Sequence, residues 1–246
     1  MSDQQKEIIA RDEQAESYEQ WYGQRGVLYN YVEKKVVIDA LNLQKDDIVL
    51  DAGCGTGRIA REMASRCKKV YGIDFSPKSI EWLNKKLQEQ RINNIEAFVG
   101  DITGHLPIKE KVDKVLSVQT IQHIPTEDER FLALKNLYNQ LKPGGVCVIT
   151  LYNWGSFLDR KLVKEDKFSN GVYYFRFTPT EVETMFKKCG FKNVRANGCM
   201  NFRWYAIINN RAFRWLFYPV ARFDVLLSNF KISRFFGAYV VCKGIK

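Results

Sequence analysis

The sequence has little of several features that mark other classes of protein. No apolar run approaches the ~20 residues needed to span a bilayer, and the polar start MSDQQKEIIARDEQ does not match a secretory signal. Only two histidines are present, and the six scattered cysteines form no C-x-x-C pair, so neither a zinc site nor a disulfide framework is indicated. We therefore expect a cytoplasmic protein with reduced thiols and no bound metal.

The basic charge of the chain is concentrated in one segment. The 246 residues suit one large globular domain, or one domain with an elaboration, and they carry a net charge of +10. Residues 200–246 contain eight of the 38 Lys and Arg residues but one of the 28 acids, Asp224, and so hold seven of the ten net charges. The rest of the chain is nearly neutral.

Short β-branched runs alternate with longer amphipathic stretches from residue 46 onward, which is typical of an α/β protein with helices on a parallel sheet. The predicted strands are 48–51, 69–74, 95–99, 112–118, 146–151, 192–196 and 238–243. The predicted helices between them are 57–67, 77–91, 127–141 and 180–189, and further helices are expected before residue 46.

A glycine turn follows the first predicted strand, in IVLDAGCGTGR at positions 48–58. Gly53, Gly55 and Gly57 permit a tight turn and let a ligand lie against the backbone at a helix N-terminus. A dinucleotide fingerprint would place its third glycine at position 58, which here is arginine. Asp51, just before the glycines, would repel a pyrophosphate and attract a sulfonium or an ammonium group. The turn therefore favours a nucleoside that carries positive charge.

Further polar side chains follow the next three strands. Asp74 ends the second strand, where a carboxylate can accept hydrogen bonds from both hydroxyls of a ribose. After the third strand, Asp101 can accept a hydrogen bond from an adenine amino group while Ile102 packs on the ring. Gln119 ends the fourth strand at the same edge.

These segments, with LKPGG at 141–145, resemble the class I S-adenosylmethionine-dependent methyltransferase family in order, spacing and residue type. The resemblance spans about residues 46–200 and a matching last strand. It implies a doubly wound, Rossmann-like, mostly parallel sheet of seven strands whose last strand is antiparallel. It also implies S-adenosylmethionine as the cofactor, with Gln119 beside its methionine portion. Carried to matching positions, the family's cofactor contacts fall on Asp51, Gly53, Asp74, Asp101, Ile102 and Gln119.

Three more residues complete the predicted cofactor-binding set: Gly55, Phe75 and Tyr22. Tyr22 lies, with Tyr18 and Trp21, in the N-terminal segment that we expect to fold over the cofactor. The chain then divides into an N-terminal helical cap (1–45), a methyltransferase core (46–200 and 237–246) and an aromatic, basic helical insert (201–236).

His123 is the candidate catalytic residue. Methyl transfer from a sulfonium depends mainly on alignment and exclusion of water, and a general base is needed only when the acceptor must lose a proton. His123 follows the fourth strand at the ligand edge, and its ordinary pKa lies near neutrality. The alternative is that this histidine only shapes the loop. The sequence does not indicate the acceptor atom.

The insert at 201–236 separates two strands that a short hairpin normally joins in this family. It interleaves aromatic residues with arginine and lysine, and it emerges at the ligand edge if the sixth strand is parallel to the first. It can be a helical hairpin packed on the sheet, with a solvated basic rim. It can instead be a lid that also contacts a membrane or an amphiphilic or anionic substrate. The third interpretation is an RNA-binding surface.

The candidate substrate contacts lie in two segments. GVYYFRFTP at 171–179 contributes Tyr173, Tyr174 and Arg176, although a packed aromatic loop is equally compatible with that segment. The insert contributes Trp204. A local stretch, QHIPTEDER at 122–130, resembles the tRNA wobble-uridine branch of the same family.

We therefore predict an enzyme that transfers a methyl group from S-adenosylmethionine to a biosynthetic small molecule. Peripheral membrane contact through the insert is an additional expectation. The alternatives are an RNA methyltransferase and a non-catalytic protein that retains the cofactor pocket.

Overall fold

The computed structural model describes residues 3–24, 26–157, 163–202 and 214–246 of the chain. The helices are α1 (Asp3–Gln24), α2 (Val27–Leu41), α3 (Ala60–Ala64), α4 (Pro77–Gln90), α5 (Glu127–Gln140), α6 (Pro179–Cys189) and α7 (Arg214–Leu227). The strands are β1 (Ile48–Ala52), β2 (Lys69–Asp74), β3 (Ile95–Val99), β4 (Val112–Val118), β5 (Leu141–Tyr152), β6 (Glu165–Lys167), β7 (Tyr173–Phe175), β8 (Lys192–Cys199) and β9 (Tyr239–Ile245). The 3-10 helices Ile121–His123 and Lys231–Phe235 follow β4 and α7.

Seven strands form one sheet in the order β3-β2-β1-β4-β5-β9-β8. Strands β1 to β5 are parallel, and β9 is antiparallel to both β5 and β8, so β8 points the same way as β1. This order confirms the predicted mostly parallel, doubly wound sheet with an antiparallel last strand. The strand order reverses where β1 meets β4, and at such a point the carboxyl ends of the strands border a crevice.

Helices cover both faces of the sheet. On one face lie α5 and α6, whose Leu134 and Phe186 are fully buried. On the other face lie α2, α3 and α7, which contribute Val32, Met63 and Ala221 to a second buried cluster. Burial of such side chains, worth roughly 1.5–3 kcal/mol each, fixes the strand ends that carry the polar residues.

The two N-terminal helices differ in position. Helix α2 packs on the sheet as part of the core, whereas α1 lies at the carboxyl edge of the sheet. Asp12 of α1 accepts hydrogen bonds from the Ser76 hydroxyl and from the backbone N–H of Lys78, the latter at 3.2 Å. Thus α1 alone has the position of a cap, and the division of the chain at residues 45, 201 and 236 stays a prediction.

Local differences from the predicted elements have physical causes. Helix α3 begins at Ala60 rather than at Gly57, because Gly57 has a φ of +75° that no helical residue adopts. Strand β5 begins at Leu141 because Leu141 pairs with Val112 of β4, and farther along the LKPGG segment Gly144 N–H donates to Lys246 O at 2.9 Å. Residues 171–179, for which a packed aromatic loop was one expectation, contain β7, which forms a hairpin with β6.

Helix α7 and the second 3-10 helix lie within the predicted helical insert, of which residues 203–213 are outside the described ones. None of the described helices has both the length and the apolar character that crossing a membrane requires.

Candidate functional site

A cavity of about 570 Å³ lies at the carboxyl edge of the sheet, where β1, β2 and β4 end. The predicted cofactor-binding residues that line it, together with His123, are Asp51, Gly53, Gly55, Asp74, Phe75, Asp101, Ile102 and Gln119. Helix α1 supplies a second wall through Glu7, Arg11, Gln14 and Ala15. The sheet topology therefore gathers in one cavity residues that are far apart in the sequence.

The three glycines of the turn serve different purposes. A Cβ at Gly53 would lie 2.1 Å from the Thr120 hydroxyl, and one at Gly57 would lie 2.2 Å from a Leu83 methyl group, so packing excludes both. Gly55 has a φ of +52° and nothing within 4 Å of a Cβ position. At Gly55 the missing side chain leaves open space in the cavity wall, where a ligand can approach the backbone.

Backbone donors hold the Asp74 carboxylate in place. One oxygen accepts from Gly55 N–H at 2.8 Å and the other from Ser76 N–H at 2.9 Å. Burial raises the pKa of Asp74, and these two hydrogen bonds act in the opposite direction. Each carboxylate oxygen has a second lone pair. Asp74 can therefore accept a pair of ligand hydroxyls without moving.

Asp51 lies at the end of β1 and is only 3% exposed. Burial raises its pKa, Arg58 lowers it and Asp74 raises it, and together they bring the pKa of Asp51 to about 7. A carboxylate disfavoured in this way is stabilised by a nearby cation. Asp51 therefore suits the positively charged part of a ligand.

Gln119 connects the cavity to helix α2. Its backbone is in the left-handed region, with a φ of +53°, and its N–H donates to Thr150 O at 3.0 Å. Its side-chain nitrogen donates to the Tyr29 hydroxyl at 3.1 Å and to the Glu33 carboxylate. Glu33 is buried and also pairs with Arg58. The side-chain oxygen of Gln119 is therefore the acceptor that it can offer to a ligand.

Tyr22 does not line the main cavity, contrary to the contact predicted for it. Its ring lies 3.9 Å from the Arg58 guanidinium, and both residues line a separate cavity of about 270 Å³. Trp21 packs edge-on against Tyr22, with ring centroids 4.8 Å apart. Tyr22 therefore supports Arg58, and through it Glu33, behind the glycine turn.

His123 lines the cavity, but both of its ring nitrogens have partners. Nδ1 lies 2.7 Å from Tyr173 O, a pairing in which the ring donates. Nε2 lies 3.3 Å from the amide nitrogen of Gln122, whose oxygen accepts from Tyr152 N–H at 2.7 Å. Burial and the Arg11 charge lower the pKa of His123, the hydrogen bond to Tyr173 O acts in the opposite direction, and the pKa is about 3. The geometry therefore favours the loop-shaping alternative over general-base catalysis.

The substrate residues predicted around position 174 lie beside the cavity wall rather than in it. Tyr174 is buried, with its ring 4.5 Å from that of Phe168, and the Arg176 guanidinium lies 4.8 Å from the Tyr174 ring. Tyr173 belongs to the β6–β7 hairpin and holds His123 through its carbonyl oxygen. These contacts match the packed aromatic loop, which was the alternative interpretation of residues 171–179. Trp204 lies outside the described residues.

Helix α1 contributes polar residues that were not predicted. Glu7 and Arg11 form an ion pair at 3.4 Å, and the Glu7 side chain is 13% exposed. Burial raises the pKa of Glu7, Arg11 lowers it, and Asp74 and Asp101 raise it, which together bring the pKa to about 7. In the sequence, an acid and a base four residues apart are typical of a solvated helix face. Nothing in the sequence therefore marked Glu7 and Arg11 as residues that line the cavity.

The far end of the cavity is formed by Ile124, Pro125, Thr126 and Tyr152. Thr126 caps α5 by accepting from Glu129 N–H at 3.2 Å, so this wall is fixed to the start of a helix. Among the described residues, no group of three or more His, Cys, Asp or Glu is placed to hold a metal ion.

Comparison with known proteins identifies similar sequences. A family model described as "Methyltransferase domain" matches residues 43–205. The chain is 36% identical over 104 residues to the probable cobalt-precorrin-6B C(15)-methyltransferase (decarboxylating) of Methanocaldococcus jannaschii. That alignment covers 37% of this chain and 57% of that protein. The chain spans less than two thirds of the length of the first curated relatives it matches.

Solved structures share the fold. Phosphoethanolamine N-methyltransferase 2 of Haemonchus contortus, in complex with S-adenosyl-L-methionine, matches with a TM-score of 0.63 and 22% identity, over 87% of this chain and 52% of that one. A possible histamine N-methyltransferase from Thermotoga maritima matches with a TM-score of 0.63 and 22% identity, over 96% of this chain and 97% of that one.

Proposed function

This chain belongs to the methyltransferase domain family, and we propose that it transfers a methyl group from S-adenosylmethionine to a small-molecule acceptor. The observation that carries the proposal is the set of carboxylates around the open position at Gly55. Asp51, Asp74 and Asp101 follow three adjacent strands of the sheet and line one cavity. A nucleoside with a positive charge complements this arrangement, whereas a pyrophosphate would be repelled by it.

The geometry of the sheet edge supports the following cofactor contacts. Asp74 would accept hydrogen bonds from the two ribose hydroxyls, and Asp101 would accept one from the adenine amino group. Ile102 and Phe75 would pack on the rings. Asp51 and the side-chain oxygen of Gln119 would receive the ammonium end. When bound, S-adenosylmethionine supplies an electrophilic methyl group on a sulfonium sulfur.

The protein contributes alignment and exclusion of water rather than proton transfer. Helix α1 covers the cavity from the side of Glu7 and Arg11, and the segment after the first 3-10 helix closes the far end. Orientation of this kind is worth about 7–11 kcal/mol in favourable cases. Because His123 is buried and hydrogen-bonded through both nitrogens, the acceptor is one that attacks without losing a proton to this histidine.

The charge of the cavity favours a neutral or cationic acceptor. The carboxylates in its wall are Glu7, Asp51, Asp74, Asp101 and Glu129. The cations are Arg11, which pairs with Glu7, and Arg58, which pairs with Glu33. This balance does not favour the anionic acceptor considered from the sequence. It also opposes the RNA alternative, because a phosphate backbone would meet the same carboxylates.

Calorimetry with three ligands tests cofactor binding. We expect S-adenosylmethionine and S-adenosylhomocysteine to bind and a nicotinamide dinucleotide not to bind. A Gly55→Ala variant should bind S-adenosylmethionine roughly tenfold or more weakly, because its Cβ enters the cavity. Gly144→Ala is the matched control, since Gly144 also has a positive φ and open space around a Cβ but lies away from the cavity. Binding of the dinucleotide alone would refute the proposal.

Turnover separates an enzyme from a non-catalytic binder. The wild-type protein is incubated with S-adenosylmethionine labelled in its methyl group and with fractions of small metabolites. Transfer of label to a neutral or cationic compound supports the proposed acceptor class. Cofactor binding without transfer to any fraction would favour the non-catalytic alternative.

A further inference from the structure

Helix α7 is apolar on two faces. Its inner face, with Ala221 and Val225, is buried in the cluster that includes α2. Its outer face carries Leu216, Phe223 and Leu226, of which Phe223 is 55% and Leu226 61% exposed. These positions recur at the spacing of one helical stripe. A helix with a second apolar stripe of this kind normally buries it against a partner.

The exposed apolar surface continues past the end of α7. Phe230 is 63% exposed, and Ile232 of the following 3-10 helix is 52% exposed. Near the start of the helix, Trp215 is 68% exposed. We define the α7 patch as Trp215, Leu216, Phe223, Leu226, Phe230 and Ile232.

The charges around the α7 patch are positive. Arg222 and Lys231 lie between its members and are exposed. The one acid of residues 200–246, Asp224, is fully buried. Its carboxylate accepts from Asn201 N–H at 3.0 Å and from the Asn201 side-chain nitrogen at 2.7 Å. The only negative charge of this segment is therefore turned inward, and the outer face combines apolar side chains with cations.

The α7 patch is attached to the edge of the sheet that carries the cavity. Asn201, which binds Asp224, comes just after the carboxyl end of β8. Asn153, just after β5, donates to Arg234 O at 3.0 Å and to Gly237 O at 2.8 Å. Both anchors lie at the carboxyl ends of strands parallel to β1, so the segment that carries the patch is joined to the sheet at the edge that carries the cavity.

We propose that the α7 patch docks the protein on the surface of an anionic lipid bilayer. Aromatic and aliphatic side chains on one face of a basic helix are the features of interfacial helices. A tryptophan near the start of the helix suits the headgroup region. Each lysine or arginine near an anionic surface strengthens binding roughly fivefold.

Two other occupants fit the α7 patch less well. A second copy of the chain, related by a two-fold axis, would place Arg222 and Lys231 against the same cations, and the described residues of α7 and the segment after it expose no acid to compensate them. RNA would gain from the aromatic rings and cations, but Leu216, Leu226 and Ile232 cannot stack on bases as aromatic rings do. A lipid surface uses the aliphatic, aromatic and charged members together.

Vesicle co-sedimentation of the full chain tests the proposal. We expect binding to vesicles of equimolar phosphatidylcholine and phosphatidylglycerol, and at least tenfold weaker binding to phosphatidylcholine alone. Phe223→Ser and Leu226→Ser should each weaken binding roughly tenfold, and Arg222→Gln roughly fivefold. Leu132→Ser is the matched control, since Leu132 is 46% exposed on α5, on the opposite face of the sheet.

Two further measurements keep the result decisive. If a serine variant fails to fold, the wild type can still be tested by tryptophan emission, which should shift to the blue with the anionic vesicles, and Trp215→Phe should reduce that shift. Analytical ultracentrifugation of the wild type without lipid should give a monomer. A dimer that Leu226→Ser dissociates would overturn the proposal in favour of a second copy, and unchanged vesicle binding by both serine variants would overturn it outright.

Discussion

The two walls of the cavity are held in place in different ways. In the sheet wall, backbone N–H groups fix the carboxylates: Gly55 and Ser76 bind Asp74, and Thr103 N–H binds Asp101 at 2.8 Å. In the helix wall, side chains attach α1 to the rest of the molecule: Asp12 binds the start of α4, and Tyr22 packs on Arg58. The sheet wall therefore cannot change without disturbing the strands, whereas we infer that α1 can separate from the edge while the sheet stays folded.

This difference assigns different tasks to the two walls. Elements attached through side-chain contacts rather than through strand pairing open at a lower free energy than core strands do. The sheet wall then determines which ligand is recognised, and the helix wall controls access to it and its release. Variants in the sheet wall should change affinity or global stability. Variants in α1 should change local opening.

The largest expected effect is that of Asp74→Ala on cofactor affinity. The variant loses a carboxylate that can accept two ribose hydroxyls, and charge-assisted hydrogen bonds contribute about 1.5–3 kcal/mol each. We expect the Kd for S-adenosylmethionine, measured by calorimetry, to rise roughly a thousandfold, which corresponds to about 4 kcal/mol. Asp46→Ala, an exposed acid before β1 at the opposite edge of the sheet, should leave the Kd unchanged. A Kd for Asp74→Ala within threefold of the wild type would remove Asp74 from the site.

The sheet wall was predictable because its residues follow directly from strand ends. Asp51, Asp74 and Asp101 each come just after a β-branched run, and parallel strands bring their carboxyl ends to one edge. The three glycines marked the turn, although only the structure separates the packing role of Gly57 from the open space at Gly55.

An N-terminal cap over the cofactor was expected, but the residues of α1 that line the cavity were not predictable from local patterns. The pair formed by Glu7 and Arg11 has the spacing of a solvated helix face, and the position of α1 depends on a contact between Asp12 and Ser76 that is distant in sequence. The role of His123 depends on Tyr173 in a hairpin that was expected to be a loop. In each case a long-range contact, invisible in a local pattern, decides the outcome.

The second largest effect should be that of Gly57→Ala on the free energy of unfolding. A Cβ at this position would overlap Leu83, and the residue has a φ of +75°. Overpacking and the left-handed conformation together should cost about 3 kcal/mol. Gly144→Ala has the conformational cost without the overlap. Urea denaturation should therefore show that this variant loses about 1 kcal/mol of the free energy of unfolding. If the two variants lost the same free energy of unfolding, the Leu83 side chain would have to move aside without cost. The sheet wall would then be less rigid than we infer.

A smaller effect should appear in the pH dependence of cofactor affinity. Burial raises the pKa of Asp51 to about 7 in the ligand-free protein, and a cationic ligand binds the ionised form. Affinity for S-adenosylmethionine should therefore rise with pH, by roughly tenfold between about pH 6 and pH 8. The measurement is made in a Glu7→Gln background, so that α1 does not titrate in the same range. Adenosine, which carries no positive charge, is the control ligand, and an equal pH dependence for both compounds would contradict the role of Asp51.

The smallest effect should be the local opening of α1. Burial of Glu7 raises its pKa from an ordinary value of 4.5 to about 7, so the closed helix binds this proton more tightly than the open helix does. Protonation of Glu7 therefore stabilises the closed helix fully below a pH of about 4.5, and this stabilisation is lost as the pH rises through about 7. Hydrogen exchange of α1, corrected for intrinsic rates, should show several-fold weaker protection at about pH 8 than at about pH 5.

Glu7→Gln should remove this pH dependence of α1 protection, because glutamine does not titrate. Asp39→Asn, which breaks the exposed pair of Lys35 and Asp39 on α2 at the same four-residue spacing, should leave it intact. If α1 lost protection equally in the wild type and in Glu7→Gln, the helix wall would open for a reason other than the charge of Glu7.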